Sequence, residues 1–409
     1  MNLFKKKKYT PSGSLSALAM ARFKKNKLAM SAFIYIVSAV VVSILGYLII
    51  PDQTPFANDQ QLEYATKKPG FEAMIMKREL NREIEQPNII SKMLFGANKT
   101  YESISIYAYH IEGDNVVAEL YTGMSPNDGQ IVKYNIADIA FSLDGNTEVQ
   151  NLGNGLYKIT KSDGSVLELS HDKILDIAKS NIISQHHLLG TDRFGRDYLS
   201  QLIIGSRVSL SVGFIAVLIS LIVGISLGAT AAYFGGWIDN VIVWFINVVW
   251  SIPTLLLVIA ITMALGKGYW QVFIAVGLTM WVEVARVVRG QVMSVRQQEF
   301  VEAGVALGYT NFRIIFQHIL PNVMSPLIVI SAANFASAIL IEAGLSFLGI
   351  GVQPPTPSWG IMIKEHYGYI ILDYAYLAIL PGIAIMLMVL AFMIVGNGLR
   401  DALDVKTVK

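Results

Sequence analysis

Long apolar runs divide the chain into stretches that are long enough to cross a lipid bilayer. A transmembrane helix needs about 20 consecutive apolar residues. Most of these stretches contain no charged residue, but one carries Glu283 and Arg286, three residues apart and therefore on one helix face. The predicted spans are Leu28–Ile50, Val208–Trp237, Val241–Leu265, Tyr269–Val288, Asn322–Ile341 and Tyr374–Leu399. The pattern predicts a mostly α-helical, polytopic membrane protein with about six transmembrane helices.

The segment between the first two predicted spans has a different pattern. Residues 71–95 are predicted to be helical, and from 100 to 170 short alternating stretches are separated by turn pairs, which is typical of β-hairpins. The turn pairs are Gly113–Asp114, Asp144–Gly145, Asn154–Gly155 and Asp163–Gly164. The chain is thus predicted to consist of a basic tail and first span (1–50), an inserted α+β domain (51–185) and a five-helix core (186–409).

The composition agrees with a membrane protein, since 53% of the residues are hydrophobic and only 15% are charged, whereas soluble domains average about 25% charged. The chain contains no cysteine, which excludes disulfides, thiol catalysis and thiolate metal sites. None of the six histidines has the i,i+4 spacing of a helical metal site.

Basic residues predict the orientation. Residues 1–27 hold eight Lys or Arg and no acid, which places the N-terminus in the cytoplasm. Six crossings then place 289–321 and the C-terminal tail on the same side, and 51–185 outside the cell. The first apolar run, at 23 residues, is longer than the 7–15 residues usual in a signal peptide, so we expect an uncleaved anchor.

Motifs for an energy source are missing from the sequence. It contains no phosphate-binding P-loop, no G-x-S-x-G nucleophile turn, no H-E-x-x-H motif and no EF-hand. Ionisable residues within the spans, which mark ion-driven carriers, are few: Glu283, Arg286 and Glu342. We expect Glu283 and Arg286 to pair or to reach lipid headgroups, and Glu342 to have a structural partner. A secondary carrier is therefore disfavoured.

The segment 299–321 interrupts the apolar pattern with charges and glycines. It predicts a short helix over 299–307 with Phe300, Gly304 and Leu307 on one face, ended by Gly308 in the left-handed conformation. Small residues at Ala303 and Gly304 would let another surface approach this helix.

A second short helix is predicted to follow directly. Thr310 is suited to cap its start, and Pro321 would end it before the next span. Its apolar stripe at i, i+3, i+4, i+7 consists of Phe312, Ile315, Phe316 and Ile319. An amphipathic hairpin lying on the bilayer is the simpler alternative for the whole segment.

This segment resembles the EAA loop of ABC-importer permeases, the coupling helix that docks on the ATPase subunit. The family pattern is Glu-Ala-Ala, three residues, Gly, nine residues, then Ile-x-Leu-Pro. The matching residues are Glu302, Ala303, Gly308, Leu320 and Pro321. The sequence departs at Gly304, where a second alanine is expected, and at His318, where isoleucine is expected.

Three further stretches are similar to the dipeptide/oligopeptide/nickel permease group, and the last two of them specifically to its C-type subunit. They are "HHLLGTDRFGRDYLSQLIIGSRVSLSVG" (186–213), "GLSFLGIGVQPPTPSWG" (344–360) and "GNGLRDALD" (396–404). The resemblance covers about 1–50 and 186–409 and implies the type I ABC importer permease fold.

The resemblance also implies partners. These are a sister permease subunit, two ABC ATPase subunits that hold ATP and Mg, an extracytoplasmic solute-binding protein and membrane lipid, with no nucleic acid. No cofactor is expected on this chain, which would be a transport subunit of the bacterial cytoplasmic membrane and not an enzyme. The implied substrates are di- or oligopeptides, with nickel or another small solute as the alternative. From another class, the chain could be a membrane-anchored binding or sensing module.

Several residues predicted to lie outside the cell are candidates for contact with an external partner. They are Asp192, Arg193, Arg196, Asp197 and Trp359. The alternative for "TDRFGRD" is a helix start with self-paired charges, and for "PPTPSWG" a rigid loop with an interfacial tryptophan. The inserted domain could brace the binding protein, cap the sister subunit or replace a missing receptor.

Overall fold

A computed structural model describes residues 15–82, 84–123, 126–144, 149–153, 155–266 and 268–403. The chain divides into two compact units. The helical unit consists of Met1–Ser43, Gly205–Gly368 and Ala378–Lys409. The sheet unit consists of Ile44–Ile204 and Tyr369–Leu377.

The α-helices of the described residues follow one another in chain order. They are α1 Leu15–Lys25, α2 Lys27–Ile49, α3 Ile89–Phe95, α4 Ile136–Ala140, α5 His171–Ser180, α6 Tyr198–Phe234, α7 Gly236–Trp250, α8 Thr254–Leu265, α9 Tyr269–Arg296, α10 Glu299–Ala306, α11 Asn311–Arg313, α12 Met324–Phe347, α13 Trp359–His366 and α14 Tyr376–Leu403.

The β-strands that the structure describes all lie in the sheet unit. They are β1 Phe71–Glu79, β2 Tyr101–Glu112, β3 Asn115–Leu120, β4 Ile131–Asn135, β5 Gln150–Gly153, β6 Leu156–Thr160, β7 Val166–Ser170 and β8 Ile182–His187.

Within the part of the chain that the structure describes, five helical runs are long and apolar enough to cross a membrane: α2, α6, α9, the run Asn311–Phe347 that ends with α12, and α14. The predicted span Val241–Leu265 is wrong as a single helix, because α7 and α8 meet at an angle of 92°. Pro253 stands at this break and has no backbone N–H to continue α7. The apolar pattern alone could not show the break, because the residues on both sides are equally apolar.

Helix packing shows that α7 and α8 together cross the helical unit once. A Cβ on Gly277 would lie 2.7 Å from the Cβ of Ile219, and a Cβ on Gly224 would lie 2.5 Å from that of Val284. Residue numbers on α6 and α9 rise together along this contact, so the two helices are parallel. The α7–α8 pair must therefore run from the end of α6 back to the start of α9, which gives six crossings for the described residues.

The remaining long helices alternate in direction. Ser209 of α6 contacts Glu342 of α12, and Phe335 of α12 stacks on Phe392 of α14 with ring centroids 4.0 Å apart. A Cβ on Gly398 of α14 would lie 2.4 Å from the Cβ of Ala29, near the start of α2. The start of α2, the end of α14 and the connection between α9 and α12 consequently lie at the same end of the bundle.

The sheet unit contains a five-stranded antiparallel sheet in the order β4-β3-β2-β1-β8 and a three-stranded sheet in the order β5-β6-β7. Its core lies between strands and the helices α4 and α5, and includes Met76, Ile106, Ile139, Ile159 and Ile174. The hairpins predicted at Gly113–Asp114 and Asp163–Gly164 are confirmed. Gly145 and Asn154 lie outside the described residues.

The prediction of a helix over 71–95 is wrong for its first part. Residues 71–79 form β1, which pairs with β2 on one side and β8 on the other. Both partners are distant in sequence, so their ladder hydrogen bonds override the local preference. The helix predicted there is limited to α3.

Candidate functional site

The connection between α9 and α12 is a bent segment, residues 299–323, whose first arm is α10. The carbonyl of Gln298 accepts hydrogen bonds from the N–H groups of Val301 and Glu302, at 2.9 and 3.3 Å, and so starts the helix. Val301 and Gly304, three residues apart, are its buried positions. Phe300 and Leu307, which were predicted to share a face with Gly304, are exposed.

The corner at Gly308 is confirmed. Gly308 has φ +74°, its N–H donates to the carbonyl of Val305 at 2.9 Å, and the N–H of Tyr309 donates to the carbonyl of Gly304 at 3.1 Å. This pair of hydrogen bonds is the Schellman motif, which requires a left-handed residue after the helix end. The corner thus depends on the one residue type that adopts this conformation without strain.

The second arm begins as predicted. The side chain of Thr310 accepts a hydrogen bond from the N–H of Arg313. Pro321, however, does not end the helix, and the helical run continues from Asn311 to Phe347. The backbone widens to a π turn over Ile314–Ile319 and then tightens over Leu320–Val323. Pro321 stands at the start of this tighter turn, where its missing N–H is tolerated.

Buried apolar side chains attach the bent segment to the neighbouring long helices. Val301, Ile314, Ile319 and Val323 pack in one cluster with residues near the ends of α6 and α9, which are Ala229, Ala232, Tyr233, Val288 and Val292. The hydroxyl of Tyr233 also donates to the side chain of Asn311 at 2.9 Å. Because both arms share this core, the segment and the helix ends should move together.

Gly304 serves an internal contact and not an external one. A Cβ at this position would lie 3.5 Å from the ring of Tyr309. That ring stacks on His318 at 5.6 Å, with 16° between the ring planes, and Arg313 lies 4.0 Å from the Tyr309 centroid. Of the two small residues, only Ala303 is exposed. Gly304 and His318, the two residues that differ from the family pattern, therefore both contact Tyr309.

The outer surface of the bent segment is apolar with a few acids. Its exposed large side chains are Phe300, Val305, Leu307, Phe312 and Phe316, and Glu299 and Glu302 are also exposed. A cleft of about 890 Å³ opens beside α10 and is lined by residues that include Tyr233, Asp239, Arg296 and Glu302. Contiguous exposed apolar surface rimmed by polar groups is typical of a protein interface.

The charges of "TDRFGRD" mostly lie inside the sheet unit. Asp192, Arg196 and Asp197 are buried. Asp192 accepts a hydrogen bond from the guanidinium of Arg196 at 2.6 Å, and Asp197 accepts one from Ser200 at 2.6 Å. His187 lies 2.9 Å from the other oxygen of Asp197. The geometry supports the alternative of self-paired charges, with only Arg193 exposed, over the ring of Phe194.

Trp359 is buried and not interfacial. It is the first residue of α13, next to Ser358, whose hydroxyl accepts a hydrogen bond from the N–H of Ile361 at 3.2 Å. A Cβ on Gly205 would lie 3.4 Å from the Trp359 ring. The side chain therefore fixes α13 within the helical unit and offers little surface to a partner.

Glu342 has the structural partners that the sequence predicted. It is fully buried and accepts hydrogen bonds from Ser346 at 2.7 Å and Ser209 at 3.2 Å. The side chain of Ser358 also bonds to it, so one carboxyl group joins α6, α12 and the start of α13. Ser209 and Ser358 were not predicted as its partners because they lie on α6 and at the start of α13, whereas Ser346 is one helical turn away from Glu342.

The expectation that Arg286 pairs with Glu283 is wrong. Its guanidinium donates to Asn247 of α7 at 2.8 Å and lies 3.0 Å from the ring centroid of Trp250. Glu283 is exposed at a cavity of about 220 Å³ that borders the break between α7 and α8.

Two family models match the sequence. The family described as "Binding-protein-dependent transport system inner membrane component" matches residues 204–409. The family described as "N-terminal TM domain of oligopeptide transport permease C" matches residues 14–69. Neither match includes 70–203, which holds most of the sheet unit.

Curated relatives carry transport names. The dipeptide transport system permease protein DppC of Alkalihalophilus pseudofirmus is 44% identical over 223 residues, which are 54% of this chain and 73% of that protein. The glutathione transport system permease protein GsiD of Pectobacterium atrosepticum is 39% identical over 223 residues, 54% of this chain and 74% of the relative. DppC of Bacillus subtilis is 40% identical, over 54% of this chain and 70% of the relative.

A solved structure of the MetNI methionine ABC transporter in inward-facing conformations is more distant. It is 18% identical and covers 50% of this chain and 97% of that chain, with a TM-score of 0.42. The family match over residues 204–409 and the curated relatives agree with the resemblance of the sequence to ABC-importer permeases. This chain belongs to the family of binding-protein-dependent transport system inner membrane components, the ABC-importer permeases.

Proposed function

We propose that the bent segment is the surface through which an ATPase subunit drives this permease. The observation that carries the proposal is a rigid, two-armed corner with an exposed apolar outer face and a buried inner face. A chain without a phosphate-binding motif needs such a contact to receive work from ATP hydrolysis. ATP and Mg would accordingly be bound by two partner ATPase subunits and not by this chain.

The route for force follows the buried contacts. A push on α10 reaches the ends of α6 and α9 through Val301 and Ile314. It reaches α12 through the continuous helical run from Asn311 to Phe347. Packed cores transmit displacement because their side chains are close-packed. Movement of the docked segment would therefore tilt several spans together and alternate access between the two sides of the membrane.

The proposed orientation places the bent segment in the cytoplasm. It lies at the same end of the bundle as the start of α2, which follows a strongly basic N-terminal stretch. Basic flanking residues are retained on the cytoplasmic side. The sheet unit would then lie outside the cytoplasm of a bacterium, and the chain would be a multi-pass protein of the cytoplasmic membrane.

The proposed cargo is a short peptide, taken up with a sister permease subunit and an external solute-binding protein. The relatives are named for dipeptide and glutathione transport, and both substrates are peptides. These names favour the peptide class over nickel. Uptake of radiolabelled dipeptides, tested against labelled nickel in cells lacking the gene for this chain, would distinguish the two.

Charge reversal at Glu302 tests the docking surface. Glu302 lies at the cleft beside α10, whereas Glu299 does not border it. Both lie in the first turn of α10, so the variants Glu302→Lys and Glu299→Lys disturb the helix dipole to a similar degree. We expect Glu302→Lys to lower ATPase co-purification about tenfold, equivalent to about 1.4 kcal/mol, and Glu299→Lys to change it little.

The measurement is the amount of ATPase recovered per permease from solubilised membranes. Undiminished recovery with Glu302→Lys would contradict docking at this cleft. An equal loss in both variants would indicate a general effect on α10 and would count against a specific contact at Glu302.

A further inference from the structure

Helix α3 of the sheet unit exposes an unusual amount of apolar surface for its length. Ile89, Ile90, Leu94 and Phe95 are 75%, 67%, 47% and 69% exposed, and none of its seven residues is buried. Lys92 is its only charged residue. A patch of large exposed apolar side chains typically marks a site that contacts another protein or a membrane.

The end of α3 is held against the chain that leaves α2. Gly96 ends the helix with φ +79°, and a Cβ there would lie 2.7 Å from the carbonyl oxygen of Gln53. The N–H of Ala97 donates to the same oxygen at 2.9 Å. Gln53 follows the last residue of α2, Ile49, by only four positions. Helix α3 is therefore fixed close to the point where the first span ends.

The loop after α2 folds back along that span. The N–H of Phe56 donates to the hydroxyl of Tyr47 at 2.8 Å, and Tyr47, Ile50, Ala57 and Ile204 share one buried cluster. The loop that contains Phe56 and Ala57 thus packs against the end of α2.

A buried carboxyl group holds this loop in place. Asp52 accepts hydrogen bonds from the N–H groups of Thr54 and Asp59, at 2.9 and 3.0 Å. Burial raises the pKa of Asp52, although these hydrogen bonds act in the opposite direction. The anchor of α3 at Gln53 therefore belongs to a hydrogen-bonded loop that packs against the end of α2.

We propose that α3 inserts its apolar side chains into the interfacial layer of the phospholipid bilayer, beside the end of α2. The last turns of α2 are apolar in the same way, because Leu45, Leu48 and Ile49 are also exposed. An interfacial helix buries its apolar face at the boundary between headgroups and acyl chains, and Lys92 can extend its ammonium group to the phosphates. The sheet unit is then attached to the membrane at α3 as well as through its connections to the spans.

The absence of cysteine makes a depth measurement straightforward. Single cysteines would be introduced by Ile90→Cys in α3, by Leu48→Cys in α2 and by Ile131→Cys in β4. Ile131 is a matched control, since it is an isoleucine with the same 67% exposure as Ile90 but lies on the edge strand far from β1 in the sheet. Each full-length variant would be labelled with bimane and reconstituted in phospholipid nanodiscs, together with any membrane subunit that co-purifies.

Quenching by nitroxide-labelled lipids and by aqueous iodide would then be compared. We expect lipid quenching at residue 90 to match that at residue 48 and to exceed that at residue 131 several-fold, with the opposite order for iodide. If residue 90 is quenched by iodide as strongly as residue 131, the proposal is wrong. Protection of residue 90 from both quenchers would also overturn it, because a protein subunit would then cover α3. Phe95→Cys supplies a second probe should Ile90→Cys fail to fold.

Discussion

Replacing Gly308 by valine is expected to lower substrate uptake about tenfold while the protein still inserts into the membrane. Gly308 has φ +74°, and a β-branched residue in this region is strained by about 1–3 kcal/mol. Since every 1.4 kcal/mol corresponds to about a tenfold change in population, the corner should seldom adopt its native form. Uptake of labelled peptide, normalised to the amount of the chain in the membrane fraction, measures the effect.

Gly290→Val is the matched control for this variant. A Cβ on either glycine would meet no atom within 4 Å, but Gly290 lies inside α9 with an ordinary helical φ. The two variants therefore add the same side chain and differ in backbone strain. Full uptake with Gly308→Val would show that the corner does not transmit motion. A loss with Gly290→Val as well would point to the added bulk.

Gly195→Ala is expected to destabilise the sheet unit by about 4 kcal/mol, from overpacking and left-handed strain together. A Cβ at Gly195 would lie 1.7 Å from the carbonyl oxygen of Gln61, and φ is +73°. The neighbouring atoms belong to the backbone, so no rotation of a side chain can relieve the contact. The turn and residue 61 would have to separate.

Gly164→Ala is the control variant, because it introduces the backbone strain of a positive φ without a clash of the added Cβ. Gly164 has φ +78°, but a Cβ there would meet nothing within 4 Å, so this variant should cost only about 1–2 kcal/mol. Hydrogen exchange of the amides of β1 and β8 in the purified full-length protein reports on both. We expect exchange to be about 100-fold faster in Gly195→Ala than in Gly164→Ala where it proceeds through unfolding of the unit. Equal exchange in the two variants would contradict the close approach at Gln61.

The predicted spans and the corner at Gly308 depend on local chemistry, and the structure contains both, apart from the break that divides Val241–Leu265 into α7 and α8. A run of about 20 apolar residues forms a helix in a bilayer because every backbone N–H and C=O must be satisfied within the helix. The corner follows from the special backbone freedom of glycine, and the cap at Thr310 from the hydrogen bond that a hydroxyl offers to a free N–H. None of these features requires knowledge of distant contacts.

The errors occurred where distant partners decide. Residues 71–79 form a strand because β2 and β8 pair with it on both sides. Asp192, Arg196 and Asp197 had the charges of a partner surface but are buried. They pair with residues nearby in sequence, and Arg196 also donates to the side chain of Asn58, which is distant in sequence. The break at Pro253 was missed because proline interrupts some transmembrane helices only slightly and others sharply.

The sequence by itself determined that this protein is a multi-pass membrane protein with an inserted α+β domain and a glycine corner between its fourth and fifth spans. Apolar run length, turn pairs and glycine are local signals, so they can be identified from neighbouring residues alone. Only the tertiary structure decided which face of α10 is buried, that α7 and α8 meet at 92°, and that α3 lies beside the end of α2. Those features depend on which surfaces of distant residues meet, and packing energy between them is not encoded in any single segment.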